Sequence, residues 1–193
     1  MKLLTDITGG VARVTMNRPE VHNAFDADLI NALDATFGRL STDASVRCIV
    51  LAGAGRSFSA GGDLNWMRSM IEYDEEANRQ DSIELARMFA QIDGCPKPVV
   101  ARVQGAAMGG GCGLVAACDI VVAGPRARFA LSEVRLGLAP AVISPYVVRR
   151  IGASKARELF LTGDRIGPAD GKICGLVHRT VDDEADLDAA VDA

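Results

Sequence analysis

Gly105-Ala-Ala-Met-Gly-Gly-Gly-Cys-Gly113 is the stretch from which the fold is read. Before it stands Pro98-Val-Val-Ala-Arg-Val103, a short apolar, β-branched run of the kind buried in a parallel sheet. After it come the apolar Leu114-Val-Ala-Ala-Cys118 and a second such strand, Asp119-Ile-Val-Val-Ala123. A glycine turn between strand and helix has a physical use. The first four N–H groups of a helix lack intrahelical partners, and glycine lets another molecule approach them closely. Such a turn is an anion site. A second one lies upstream. Arg47-Cys-Ile-Val-Leu-Ala52 reads as a buried strand, Gly53 to Gly62 as a loop of small residues, and Ser59-Ala-Gly-Gly-Asp-Leu64 as the entry to a helix. Two such turns facing each other can hold one oxygen that gains charge during a reaction, an oxyanion hole. The plainer reading of either turn alone is close packing of helix on sheet.

Working outward, Val11-Ala-Arg-Val-Thr-Met16 alternates as a strand does, and Asn17-Arg-Pro-Glu20 turns it. Leu29, Leu33, Phe37 and Leu40 form a helical stripe, with Asp26 and Asp28 as cap candidates. A long helical stretch covers much of Leu64 to Ile92, irregular near Met70 to Glu75. Ala127-Arg-Phe-Ala130 reads as a further strand. Two helical patterns follow, near Tyr146 to Ile151 and near Ser154 to Leu161. Strands alternating with helices predict an α/β layered domain. No internal repeat, low-complexity tract or linker interrupts it.

The 193 residues fit one domain, and 49% hydrophobic with 24% charged residues argues against disorder. A net charge of −4 and only 5% aromatic residues argue against a nucleic-acid partner. No run approaches the ~18 apolar residues of a membrane span, and Met1-Lys-Leu-Leu-Thr-Asp6 does not open a signal peptide. Cys48, Cys95, Cys112, Cys118 and Cys174 are odd in number and form no CxxC pair, so reduced thiols in a cytoplasmic protein are expected, without a metal site. No GxGxxG followed by an acid, GxxxxGK[ST] or GxSxG occurs, which weakens dinucleotide, P-loop and serine-hydrolase readings.

The paired glycine turns belong to a longer pattern: Asn17-Arg-Pro with Asn23-Ala, Phe58-Ser-Ala-Gly-Gly-Asp-Leu64, Gly105-Ala-Ala-Met-Gly-Gly-Gly, Ala117-Cys-Asp-Ile120, Phe129-Ala-Leu-Ser-Glu-Val-Arg-Leu-Gly137, Leu161-Thr-Gly-Asp-Arg-Ile166 and Gly175-Leu-Val177. Together, in this order, they resemble the enoyl-CoA hydratase/isomerase, or crotonase, family over nearly the whole chain. The resemblance implies a crotonase-like spiral of repeated ββα units that binds acyl-coenzyme A thioesters. It implies that the backbone N–H groups of Gly62 and Gly110 hold the thioester oxygen, at roughly 3 kcal/mol per donor by analogy with known oxyanion holes. Ala60, Gly61, Gly62, Asp63 and Leu64, with His22 and Ala24 of the facing turn, would line the nucleotide and pantetheine path. Gly109 and Ala141 would also meet the substrate. Coenzyme A enters as part of the thioester, with no separate cofactor. From its residue type and loop alone, His22 is expected to be solvated.

Family hydratases generally use two glutamates. Glu133 matches the second, and its neighbours Leu131, Val134 and Leu136 are expected to raise its pKa by burial. The position of the first is Gly113, which offers no side-chain proton. Downstream, Pro140-Ala-Val-Ile-Ser-Pro-Tyr-Val-Val-Arg-Arg150 replaces the usual glycine-rich run. This pair of departures resembles the bacterial methylglutaconyl-CoA or carboxygeranoyl-CoA hydratases of leucine and acyclic-terpene breakdown. Their substrates carry an extra carboxylate, which Arg135, Arg149 or Arg150 would pair with unless these are plain surface arginines. Trp66 and Met67 are expected to pack in the core, Asp63 to cap a helix, Asp119 to anchor a turn, and Cys112 to fill space rather than act as a nucleophile. The expected activity is therefore enoyl-CoA hydration. The alternatives are isomerisation with a single glutamate, non-catalytic acyl-CoA binding, or a structural α/β module. Residues 1–181 would form the acyl-CoA-binding core, and 182–193 would begin a C-terminal helical segment that is largely missing. With those helices present a homotrimer or hexamer is expected. Without them, apolar surface should stand exposed.

Overall fold

In β2 (Val11–Met16) Ala12, Val14 and Met16 are fully buried and the residues between them are not, which is the period-2 pattern of a strand with one covered face. The computed structural model describes residues 1–193, and β2 lies second in its main sheet. β1 (Leu3–Thr8) pairs antiparallel with β2 at the edge. β3 (Cys48–Gly53), β4 (Val99–Val103), β6 (Ile120–Ala123) and β8 (Arg179–Thr180) continue the sheet in parallel, in the order β1-β2-β3-β4-β6-β8. A smaller parallel sheet joins β5 (Ala106–Met108) to β7 (Arg128–Ala130).

The two sheets make a repeat. β4 leads to β5 and then α4 (Gly110–Ala117), and β6 leads to β7 and then α5 (Ser144–Thr162). β3 leads to Ser59, which bridges to Ala107 of β5, and then to α2 (Leu64–Ser69) and α3 (Glu75–Asp93). Each turn thus spends one strand on each sheet and closes with a helix, the expected ββα spiral. Single bridges, Phe25 to Gly62 and Phe129 to Ile166, extend the small sheet.

α1 (Ala27–Thr42) buries Leu29, Ile30, Leu33, Phe37 and Leu40, with Asp26 capping it through the Leu29 N–H at 3.1 Å. The irregularity expected near Met70 is a 3₁₀ turn, Met70–Glu72, after which Asp74 caps α3. The two helical patterns after Pro145 join as α5 across a kink at Gly152, whose φ of 75° leaves the helical region. Asp119 stands just before β6, and its carboxylate accepts the Val99 N–H at 2.8 Å, tying the start of β4.

β1, β5, β8 and α6 (Pro168–Ile173) were not expected from the sequence. Residues 182–193 form a 3₁₀ turn, Glu184–Asp186, and α7 (Leu187–Asp192). α7 lies on the outer face of the main sheet, where Leu187 is fully buried with Val50, Val100 and Val122. Asp188 holds Arg102 through two bonds of 2.6 and 2.9 Å, and Asp192 pairs with Arg13. Leu136, Leu138, Leu161 and Ile173 stand exposed. No helix is long and apolar enough to cross a membrane.

Candidate active site

The first glycine turn is held by buried polar groups. Asn23, at a left-handed φ of 54°, donates to the carbonyls of Ala54 and Ser57, both at 2.8 Å. Gln104 donates to the carbonyls of Gly53 and Gly55. Ser59 donates to the Asn23 carbonyl at 2.9 Å and accepts the Gly61 N–H at 3.2 Å. The Arg18 guanidinium binds the Ala24 carbonyl and the carboxylates of Asp63 and Asp26. Asp63 caps α2 through the Asn65 N–H at 2.9 Å. These bonds leave Gly62 in a fixed place. Phe25 donates to the Gly61 carbonyl and Asp63 to the Phe25 carbonyl, while the Gly62 N–H has no acceptor.

The second turn opens α4. Gly109, at φ 51°, precedes the helix, and the N–H of Gly110 has no partner, as the first turn of a helix requires. Glycines here let backbone meet backbone. A Cβ on Gly61, itself at φ 85°, would lie 2.7 Å from the Met108 carbonyl and 3.2 Å from the Gly110 nitrogen. A Cβ on Gly110 would lie 2.5 Å from the Phe25 ring. The two turns therefore touch, with unpaired N–H groups at Gly62 and Gly110.

Glu133 stands on a 3₁₀ turn, Ser132–Leu136, facing Gly109: a Cβ there would be 3.2 Å from Glu133 Oε1. Oε2 is buried and has no hydrogen-bond partner. Burial holds the carboxyl above its ordinary value of 4.5. The expected cause is right, but two of the expected neighbours are not. Val134 and Leu136 turn outward, and only Leu131 is buried. Four residues beyond Gly109, the place of a side chain on Gly113 is filled. A Cβ there would lie 2.8 Å from Ile143 Cβ, closer still to its Cγ2, and 3.1 Å from Phe89 Cε1.

The remaining expected residues fall into two groups. Ala24 is buried in the turn beneath the first glycine loop. Ala60 donates to the His22 carbonyl at 2.9 Å. Leu64, in the first turn of α2, and Ala141, between Glu133 and α5, are both exposed. His22 differs from expectation. It is half-buried, with Nδ1 2.9 Å from Ser57 Oγ and Nε2 3.0 Å from an Arg56 nitrogen. An arginine can only donate, so Nε2 is the acceptor in this contact. Trp66 packs against the core, with its indole N–H buried and unpartnered. The Met67 sulfur lies 3.2 Å from the place of a Cβ on Gly62. Cys112 is buried, and burial pushes its thiol up, as suits a filler.

Of the three arginines only Arg149 is paired with a carboxylate. Arg135 donates to the Gly163 carbonyl, Arg149 pairs with Asp93, and Arg150 donates to the carbonyls of Ala116, Cys118 and Asp119 at the end of α4. A separate cleft of about 350 Å³ is lined by Arg13, Thr15, Arg102, Gln104 and Asp188. Its guanidiniums are taken by α7, so it offers no free charge. Arg18, Asn23, Gln104 and Ser59 were given no role by sequence reasoning. The signal was present for Arg18, Asn23 and Ser59, which stand in the quoted Asn17-Arg-Pro, Asn23-Ala and Phe58-Ser-Ala-Gly-Gly-Asp-Leu64.

A ββα spiral whose two glycine turns meet beside one half-buried acid defines a protein of the crotonase fold. Residues 6–193 match the family model described as enoyl-CoA hydratase/isomerase. An enoyl-CoA hydratase of Alternaria alternata is 40% identical over 180 residues, covering 93% of this chain and 58% of its own length. A short-chain-enoyl-CoA hydratase of Clostridium acetobutylicum is 35% identical over 176 residues, covering 90% of this chain and 66% of its own length. The crystal structure of an enoyl-CoA hydratase from Shewanella pealeana superposes with a TM-score of 0.94 at 42% identity, over 98% of this chain and 71% of that one. The chain belongs to the enoyl-CoA hydratase/isomerase family. It spans less than two thirds of the length of both curated relatives.

Proposed function

We propose that the protein adds water to the double bond of a 2-enoyl-CoA thioester, with Glu133 as its acid and base. The observation that carries this is the half-buried Glu133 carboxyl, with an unpartnered Oε2, set against the turn that presents the Gly110 N–H. In the proposed reaction the N–H groups of Gly62 and Gly110 hold the thioester oxygen. Glu133 takes a proton from water as the water oxygen bonds to the β-carbon. The π electrons of the double bond move to the thioester oxygen as an enolate. Glu133 returns the proton to the α-carbon, the enolate collapses, and the carboxylate is restored. Donors fixed before the reaction stabilise the enolate without reorganising, and a carboxyl raised by burial is better matched to proton transfer near neutrality. Ala60 to Leu64, His22, Ala24, Gly109 and Ala141, set against the coenzyme A arm, complete the proposed site. Five free thiols support a reducing, cytoplasmic setting, and a trimer or hexamer is the assembly proposed.

The finer reading is a substrate of the methylglutaconyl-CoA type. Its extra carboxylate would be met by Arg135 or Arg150, which hold only neutral backbone carbonyls, rather than by Arg149, which is paired with Asp93. The test follows loss of the conjugated enoyl-thioester absorbance with crotonyl-CoA and methylglutaconyl-CoA. Glu133→Gln should reduce turnover by roughly 10²–10⁴-fold. Binding of both thioesters without turnover of either would overturn hydration. A second reading, double-bond isomerisation, is favoured by Gly113, since isomerisation needs only one acid. Product analysis separates the two.

A further inference from the structure

Gly113 donates its N–H to the Gly109 carbonyl at 3.1 Å, so it stands in the first turn of α4, directly after the glycine that meets Glu133. Gly109 meets Glu133, and Gly113 meets Ile143 and Phe89. We propose that Ile143 is the specificity-determining residue that makes this a one-acid site. From the start of α5 its side chain occupies the space in which a side chain on residue 113 would stand. The proposal rests on the reading of Glu133 as the acid and base, and it adds what excludes a second one.

The exclusion is firm because the obstructing atoms cannot swing aside. A Cβ on residue 113 would lie 2.8 Å from Ile143 Cβ, the atom next to the backbone, rather than against the tip of a flexible chain. Ile143 is β-branched and stiff at χ1. It is 4% exposed, and its carbonyl accepts the Val147 N–H at 3.1 Å, so the first turn of α5 holds it. Behind it Phe89 stacks on Tyr146, with ring centroids 5.7 Å apart. Glycine at 113 and isoleucine at 143 are therefore two halves of one feature, although 30 positions separate them in the chain.

Chemically, the wall leaves Glu133 alone. The titratable group packed nearest on α4 is the Cys112 thiol, which burial keeps neutral. Arg135, on the same 3₁₀ turn, spends its guanidinium on the Gly163 carbonyl. On α5, Arg149 pairs with Asp93 and Arg150 holds the far end of α4. One carboxyl must both remove and return the proton. The dependence of kcat/KM on pH should then show a single limb, falling on the acid side. A site with a second, protonated acid would fall on both sides.

Two experiments on the full chain test this. In the first, thermal melting compares Gly113→Ala with and without Ile143→Gly. With Ile143 in place the added methyl should lower Tm by roughly 5 °C. In the Ile143→Gly background, which removes both Cβ and Cγ2, the loss should be clearly smaller. An equal loss in both backgrounds overturns the proposal. In the second, Gly113→Glu combined with Ile143→Gly is assayed on crotonyl-CoA across pH. The expected result is a new alkaline limb. An unchanged single limb in a folded variant, with Glu133→Gln still inactive, also overturns it. Absence of wild-type turnover on any enoyl-CoA would sink the proposed function, while the melting comparison still decides whether Ile143 fills the place of residue 113.

Discussion

Glu133 carries a cost in stability that its chemistry explains. Its pKa is raised by burial above the ordinary 4.5, so the folded state holds the proton more tightly than the unfolded state does. Between those two pKa values the native protein binds more protons, and stability falls as pH rises through that window. Below pH 4.5 both states are protonated and no penalty remains. Glu133→Gln should therefore raise Tm at pH 7 to 8 and leave it unchanged near pH 4, while turnover falls by roughly 10²–10⁴-fold. Melting curves of the two proteins across pH check this. A variant less stable than wild type at pH 8 would mean that the carboxylate is held by bonds absent from this structure. The identity of this residue was legible in Leu131-Ser-Glu-Val134, because the motif is local. Its desolvation was legible only in direction. Whether Val134 and Leu136 face inward depends on how the 3₁₀ turn sits against α4, which no local pattern records.

α4 is an improbable helix by composition. Gly110, Gly111 and Gly113 each cost about 1 kcal/mol relative to alanine. Cys112, Leu114, Val115 and Ala116, all at most 2% exposed, offset this by burying apolar surface. The glycines are there for approach. Gly110 admits the Phe25 ring, and Gly111 admits the Ser59 carbonyl. Gly61 faces the same junction from the other loop. Gly61→Ala would place its Cβ 2.7 Å from the Met108 carbonyl, at a φ of 85° that L side chains rarely adopt. The left-handed conformation alone costs roughly 1–2 kcal/mol, and the clash would push the two turns apart. The expected outcome is a folded but less stable protein that has lost most turnover through the separation of the Gly62 and Gly110 N–H groups. Circular dichroism with the enoyl-CoA assay checks it. Full activity would show that the spacing of these donors is not critical. The two strand-turn-helix units were readable because glycine runs punctuate apolar runs. β5 was not, since its three residues lie inside such a run and are a strand only by pairing with β7. β1 was missed for the opposite reason. Only Leu3 of its six residues is buried, so its alternation has no core face to reveal it.

At the scale of the whole molecule the main sheet has two different faces. The inner face meets α1, α3, α4 and α5 in one large core. The outer face carries Val50, Val100 and Val122, covered by Leu187 of α7. Apolar burial and ion pairs both hold α7 there, and their magnitudes differ. Burying Leu187 completely is worth roughly 2–3 kcal/mol, and truncating such a leucine to alanine costs about 2–5 kcal/mol with the cavity included. The Arg102–Asp188 pair is bidentate, but Asp188 is 61% exposed. A pair so open to solvent is worth about 0–1 kcal/mol and weakens with salt. The apolar contact should therefore dominate. Leu187→Ala is expected to lower Tm by roughly 5–10 °C, and Arg102→Gln by less than about 3 °C. The effect of Arg102→Gln should vanish in 1 M NaCl, while that of Leu187→Ala should persist. Thermal melts of the two variants at low and high salt measure both. If Arg102→Gln proves the more damaging at low salt, then α7 is held to the sheet by its charges, and the guanidiniums of Arg13 and Arg102 would become the groups that organise the outer face.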